Sequence, residues 1–143
     1  MTSVHASAVL VGTRAVLIRG ASGSGKSRLA LGLILAARAG QLPETTLIGD
    51  DRIHLTAQAG ALRVRGVPEL AGKIEIRGLG LRTLGFAPEG DVGLVVDLAA
   101  ADAERLPPPQ AMRTTVLGLE IPRIPVAAGH DPLPLVLGFL TTT

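Results

Sequence analysis

One segment constrains this chain more than any other: GASGSGKS, Gly20 to Ser27, with RAVLIR before it and RLALGLILAARAG after it. A glycine, four residues and then Gly-Lys-Ser is the P-loop pattern, and it needs a strand to enter it and a helix to leave it. The preceding apolar run reads as that strand. Beyond Ser27 the apolar residues change to helical spacing, with Leu29, Leu33 and Ala36 on one face, Leu31 and Leu35 beside them, and Gly40 as the stop. Gly20, Gly23 and Gly25 let backbone N–H groups turn inward around phosphate oxygens, with Ala21, Ser22 and Ser24 completing the loop. Lys26 supplies a point charge for the outer phosphates, and the Ser27 hydroxyl is placed for Mg²⁺. The chain is therefore expected to be α/β and to hold a polyphosphate. Kinases, GTPases, motors and nucleotide sensors all share that property.

Composition narrows the class. At 143 residues the length suits one domain, 1–143. Phe86 and Phe139 are the only aromatic residues, so there is almost nothing on which a nucleic-acid base could stack. The formal charge is +2, and the arginines are scattered rather than clustered, which argues against a nucleic-acid face. Cysteine is absent, so neither disulfides nor thiolate metal sites can form. No apolar run reaches the ~18 residues of a membrane span, and no secretory leader pattern opens the chain. The expectation is a soluble, cytoplasmic protein without nucleic-acid or membrane partners.

Around the P-loop, HASAVLVG and RAVLIRG read as two adjacent strands or a hairpin, TTLIGDD as a strand ending in two aspartates, and RIHLTAQAGALRVRG as a hairpin. KIEIRGLGL reads as a short strand running into a glycine-rich turn, and DVGLVVDLA as a buried strand. RLPPPQAM is expected to be a loop, because consecutive prolines bar helix and ladder alike. TTVLGLEIPRIPV supplies two more short strands, and PLPLVLGFL a closing helix.

A P-loop needs a carboxylate near its metal, and two stretches compete for that place. Asp97 closes an apolar strand, which is how a generic Walker B aspartate reads, although a strand-end Asp can equally cap a turn. Asp50 and Asp51 form a doublet on the strand after the P-loop helix, and a doublet can divide the work. One carboxylate faces the metal while its neighbour accepts a proton from an incoming hydroxyl. Glu75 alternates with Ile74 and Ile76, so it faces away from both, toward solvent or into a site.

GASGSGKS, LIGDDRIHL and IEIRGLGL, in this order and spacing, resemble the C-terminal catalytic domain of HPr kinase/phosphorylase, in the short form that lacks an N-terminal domain. The likeness runs from His5 to about Leu140. It implies a nucleotide core similar to that of phosphoenolpyruvate carboxykinase, a mixed sheet with flanking helices. It also implies an ATP- and Mg²⁺-dependent kinase acting on a serine of the phosphocarrier protein HPr, and assembly as a hexamer. Carried over by position, the resemblance makes Gly20 to Ser27 the ATP loop and Ser27 and Glu75 the Mg²⁺ ligands. Asp50 stands on the metal side, and Asp51 is the base for the serine proton. His5, fifteen residues before Gly20, and Arg105, in AERLP, take catalytic places.

Two departures stand out. Arg28 follows the P-loop where the family usually has Glu, and PVAAGH, Pro125 to His130, replaces the family's PVRPGR. That segment is associated with phosphorolysis of phosphoserine. Ala127 and the single imidazole of His130 do not reproduce an arginine fork on phosphate, so the kinase direction is better supported than its reverse. Among other P-loop classes, a GTPase-like switch lacks its Asn-Lys-x-Asp loop, because the chain contains no Asn. A small-molecule kinase would need a helical, Arg-rich lid where this chain has hairpins. A non-catalytic nucleotide sensor is the alternative that Arg28 and PVAAGH keep open.

Overall fold

The computed structural model describes residues 2–143. In chain order the strands are β1 (Thr2–Val4), β2 (Ala6–Val11), β3 (Arg14–Arg19), β4 (Thr45–Gly49), β5 (Ile53–Gln58), β6 (Ala61–Gly66), β7 (Lys73–Ile76), β8 (Gly80–Thr83), β9 (Glu89–Asp97), β10 (Arg113–Val116) and β11 (Leu119–Pro125). Two helices join them, α1 (Lys26–Arg38) and α2 (Leu133–Thr141). The main sheet runs β1-β5-β6-β9-β3-β2-β4, and β11 adds to β9 with β10 as its hairpin partner. β9 lies parallel to β3 and β11 and antiparallel to β6, so the sheet is mixed as expected.

Period-2 alternation in β2 and β3 explains how this sheet is covered on both faces. Val9, Val11, Val16 and Ile18 point to one side, where Leu29, Leu33 and Ile34 of α1 and Val136 of α2 close over them. Ala6, Ala8, Ala15 and Leu17 point to the other, against Ile53, Leu55, Leu62 and Val64 of the β5–β6 hairpin. The sheet curls to bring that hairpin back over itself. At the tightest point a Cβ on Gly66 would stand 2.2 Å from the Ile48 carbonyl oxygen, so only glycine allows β6 to pass β4. Leu33 is fully buried on the sheet-facing side of α1, and truncating such a leucine to alanine costs roughly 2–5 kcal/mol.

Three local expectations are corrected. Leu35 is 48% exposed rather than part of the covered helix face. The glycine-rich turn after β7 returns as β8, making a two-stranded hairpin outside the main sheet. The proline segment ends in a 3₁₀ turn, Pro109–Met112, because proline's fixed φ suits the first residues of such a turn even though it bars a helix interior. Among the described residues, no helix is long and apolar enough to cross a membrane.

Candidate active site

The topology gathers most of the candidate residues at one end of the sheet. β2 is antiparallel to both β3 and β4, so those two strands run the same way and end together. Arg19 at the end of β3 pairs with Ala6, and Gly49 at the end of β4 pairs with Ala8. The P-loop leaves β3 at this edge, Asp50 and Asp51 leave β4, and His5 precedes β2. Ser22, Gly23, Gly25, Lys26, Ser27, Arg28, Asp50, Asp51, Glu75 and Arg77 are among the residues lining one cleft of about 270 Å³.

Gly23 and Gly25 take left-handed φ of 82° and 102°, which turns the loop and leaves Gly25 as the N-cap of α1 with no side-chain cap. The first N–H groups of α1 thus face the cleft, an arrangement suited to an anion. Lys26 is buried, and its Nζ donates to the carbonyls of Gly20 (2.8 Å) and Ala21 (3.1 Å), leaving one of its three N–H groups free.

Asp50 is the hub. The Ser27 hydroxyl lies 2.8 and 2.9 Å from its two carboxylate oxygens, the Ser7 hydroxyl donates to Oδ1 at 2.7 Å, and the Glu75 backbone N–H donates to Oδ2 at 3.1 Å. One carboxylate therefore ties together the P-loop helix, β2, β4 and the β7–β8 hairpin. Asp51 turns the other way. Its φ of 63° is uncommon outside glycine, though Asp tolerates it better than most residues. The conformation carries its carboxylate out to the rim, where the His5 Nδ1 stands 3.9 Å away. That separation is too long for a hydrogen bond but close enough for charge coupling when the imidazole is protonated. Glu75 is exposed and lines the same cleft.

Asp97, the other candidate carboxylate, lies outside the cleft lining. Arg19 grips it through Nε (2.7 Å) and Nη2 (2.8 Å), and Arg123 donates to it through Nε at 2.5 Å. Arg123 also reaches both oxygens of Asp102. Burial pushes the Asp97 carboxyl up, but the bonds from Arg19 and Arg123 outweigh it and hold the group below its ordinary value. Arg105 is exposed in the segment after β9 and does not line the cleft. His130 is likewise exposed and outside it, its N–H closing a turn onto the Ala127 carbonyl at 3.1 Å.

Sequence reasoning missed Ser7 and Arg77. Ser7 is fully buried among alanines, and a hydroxyl at a fully buried strand position is the signal that would have found it. Arg77 sits inside EIRGLG, where attention fell on the carboxylate and the glycines.

A resident Mg²⁺ would suit these donors. The ion is usually held by one or two carboxylates together with substrate phosphates and waters, so a cage of three side chains is not required. Among the described residues no such cage occurs, yet Ser27 Oγ lies on the Asp50 carboxylate and Glu75 lines the same cleft. All are hard oxygen donors.

Comparison with known proteins gives one answer. Residues 1–137 match the family described as HPr Serine kinase C-terminal domain. Over 141 residues the chain is 34% identical to HPr kinase/phosphorylase of Mycoplasma mycoides, covering 89% of this chain and 43% of that protein. Over 143 residues it is 31% identical to HPr kinase/phosphorylase of Geobacillus thermodenitrificans, covering 91% and 44%. The chain thus spans less than half the length of these curated relatives. The solved structure of the Hpr(Ser) kinase/phosphatase from Coxiella burnetii superposes with a TM-score of 0.75 at 26% identity, over 98% of this chain and 93% of that one.

Proposed function

Because the chain belongs to the HPr serine kinase C-terminal domain family, we propose that residues 1–143 form one catalytic domain that transfers the terminal phosphate of ATP to a serine of an HPr-type phosphocarrier protein. The observation that carries this reading is the division of labour between the two adjacent aspartates. Asp50 is buried on Ser27, on the side of the phosphate loop, while the left-handed backbone at Asp51 presents its carboxylate to the rim beside His5. An acceptor hydroxyl arriving from solvent meets Asp51 first.

In this reading the P-loop amides and Lys26 hold the polyphosphate, and Lys26 offsets the charge that builds on the transferring group. Asp51 takes the serine proton as the oxygen attacks, with His5 beside it at the rim in the place that the family pattern gives a catalytic histidine. Asp50 orients the Ser27 hydroxyl, with Ser27, Asp50 and Glu75 as the residues that would hold Mg²⁺. When bound, the ion would neutralise charge on the phosphates. Arg105 belongs to the set by position in the family pattern; in this chain's geometry it stands apart from the cleft. The PVAAGH segment, buried at Pro125 and Val126 and exposed from Ala128 to His130, carries no arginine, which favours the kinase direction over phosphorolysis.

The test is incubation of the purified chain with HPr and labelled Mg²⁺–ATP, followed by phosphoamino-acid analysis. Phosphoserine is expected, and Lys26→Ala should abolish it while the fold persists. ATP binding without any transfer would sink the kinase reading and leave a nucleotide sensor.

A further inference from the structure

Arg77 has no part in the mechanism proposed above, on which this inference rests. We propose that Arg77 binds the terminal phosphate of the bound nucleotide, making the cleft selective for a triphosphate over a diphosphate.

Three observations carry it. Arg77 lines the same cleft as Lys26 and Ser27. Its guanidinium lies against the turn of the phosphate loop, since a Cβ built on Gly23 would stand 3.5 Å from Arg77 Nη2. And it has no acceptor among the described residues; Arg14, Arg28, Arg38, Arg52, Arg82 and Arg105 also rest on no carboxylate there, but of these only Arg28 shares the cleft. A planar guanidinium matches two oxygens of a phosphate group, and a terminal phosphate presents the most charge and the most free oxygens. Arg28, in the first turn of α1, also lines the cleft without an ion pair among the described residues.

The placement is built rather than incidental. Ile74 is fully buried beneath the β7–β8 hairpin, and the Glu75 N–H is bonded to Asp50, so the backbone two residues before Arg77 is fixed to the carboxylate that orients Ser27. Gly78, with φ 89°, then turns the chain away and leaves Arg77 at the mouth of the hairpin. Asp50 thereby sets the position of Ser27 and Arg77 together.

The experiment is calorimetric titration of the unmutated chain, Arg77→Ala and Arg77→Lys with Mg²⁺–ATP and Mg²⁺–ADP. Arg77→Ala should weaken ATP by roughly 10- to 100-fold and ADP by less than about threefold, with Arg77→Lys recovering part of the loss. Thermal melting of the exposed-site variants should match the parent. Equal losses for both nucleotides, no loss for either, or a parent chain that does not prefer ATP would each overturn the inference. Serine transfer measured alongside separates the two ideas. ATP selectivity through Arg77 without transfer sinks the kinase reading alone, and transfer without nucleotide selectivity sinks this inference alone.

Discussion

Two strands of this molecule, β4 and β9, are apolar runs that end in aspartate and point the same way as β3, yet their carboxylates do opposite things. At the end of β4, Asp50 accepts from two hydroxyls and a backbone N–H, all uncharged donors. Its negative charge is oriented but not neutralised, so it remains available to a cation. At the end of β9, Asp97 sits between two guanidinium groups, which compensate its charge in full. A metal would have to displace an arginine to use it. A strand-end aspartate is chemically uncommitted, and the charge of the donors that the fold brings to it decides whether it serves a site or a scaffold.

The largest expected effect that would break this comparison is on catalysis. Asp51→Asn should keep Mg²⁺–ATP affinity within about threefold while lowering serine transfer by roughly 10²- to 10⁴-fold, the usual worth of a general base. Asp97→Asn should leave turnover per folded molecule nearly unchanged. The reverse pattern, read from steady-state transfer and nucleotide titration on both variants, would return Asp97 to a Walker B role.

Next in size is Asp50→Ala, which strands the Ser7 hydroxyl and frees Ser27 to rotate. Mg²⁺–ATP affinity should fall about 10- to 100-fold, as when a residue that orients a metal ligand is lost. Unchanged affinity would mean that Ser27 needs no orienting partner.

The smallest effect sharpens the scaffold side. Asp97→Asn should cost about 2 kcal/mol of stability, because Arg19 and the largely buried Arg123 each lose a charged partner; a fall of several degrees in Tm would register it. The sign with pH follows from the lowered carboxyl. The stabilisation is fully present above the unfolded value of about 3.9 and is lost as pH falls through the still lower folded value. The gap in Tm between parent and variant should therefore be constant near neutrality and close below about pH 4. A gap that persists into that acid range would show that the carboxylate's charge is not what holds the network.

Much of the fold was legible because it is written in local periodicity. β2, β3, α1, β5, β6 and β9 follow from period-2 and period-3.6 patterns and from turn residues that need no distant partner. The misread pieces are those whose state depends on packing. Leu35 has the right residue type for a core, but no element lies over it, and β8, exposed along its length, has no apolar alternation to reveal it. In the candidate cleft, Ser22, Gly23, Gly25, Lys26, Ser27, Asp50, Asp51 and Glu75 were named from motif and order, whereas Arg105 was named too and lies outside it. Ser7 and Arg77 were not named, since one is a lone hydroxyl in an apolar strand and the other an arginine among many.

By itself, then, the sequence determined that a glycine-rich loop joins a strand to a helix, because backbone conformation there depends chiefly on adjacent residues. It determined too that an aspartate doublet ends the next strand. Only the tertiary structure decided that Ser7, Ser27 and Glu75 converge on Asp50, that Arg19 and Arg123 claim Asp97, and that Arg77 overhangs Gly23. Those outcomes depend on which strands lie side by side and on how far the sheet curls. Contacts between residues 43 and 78 positions apart, as in Ser7–Asp50 and Arg19–Asp97, leave no periodic trace along a single chain.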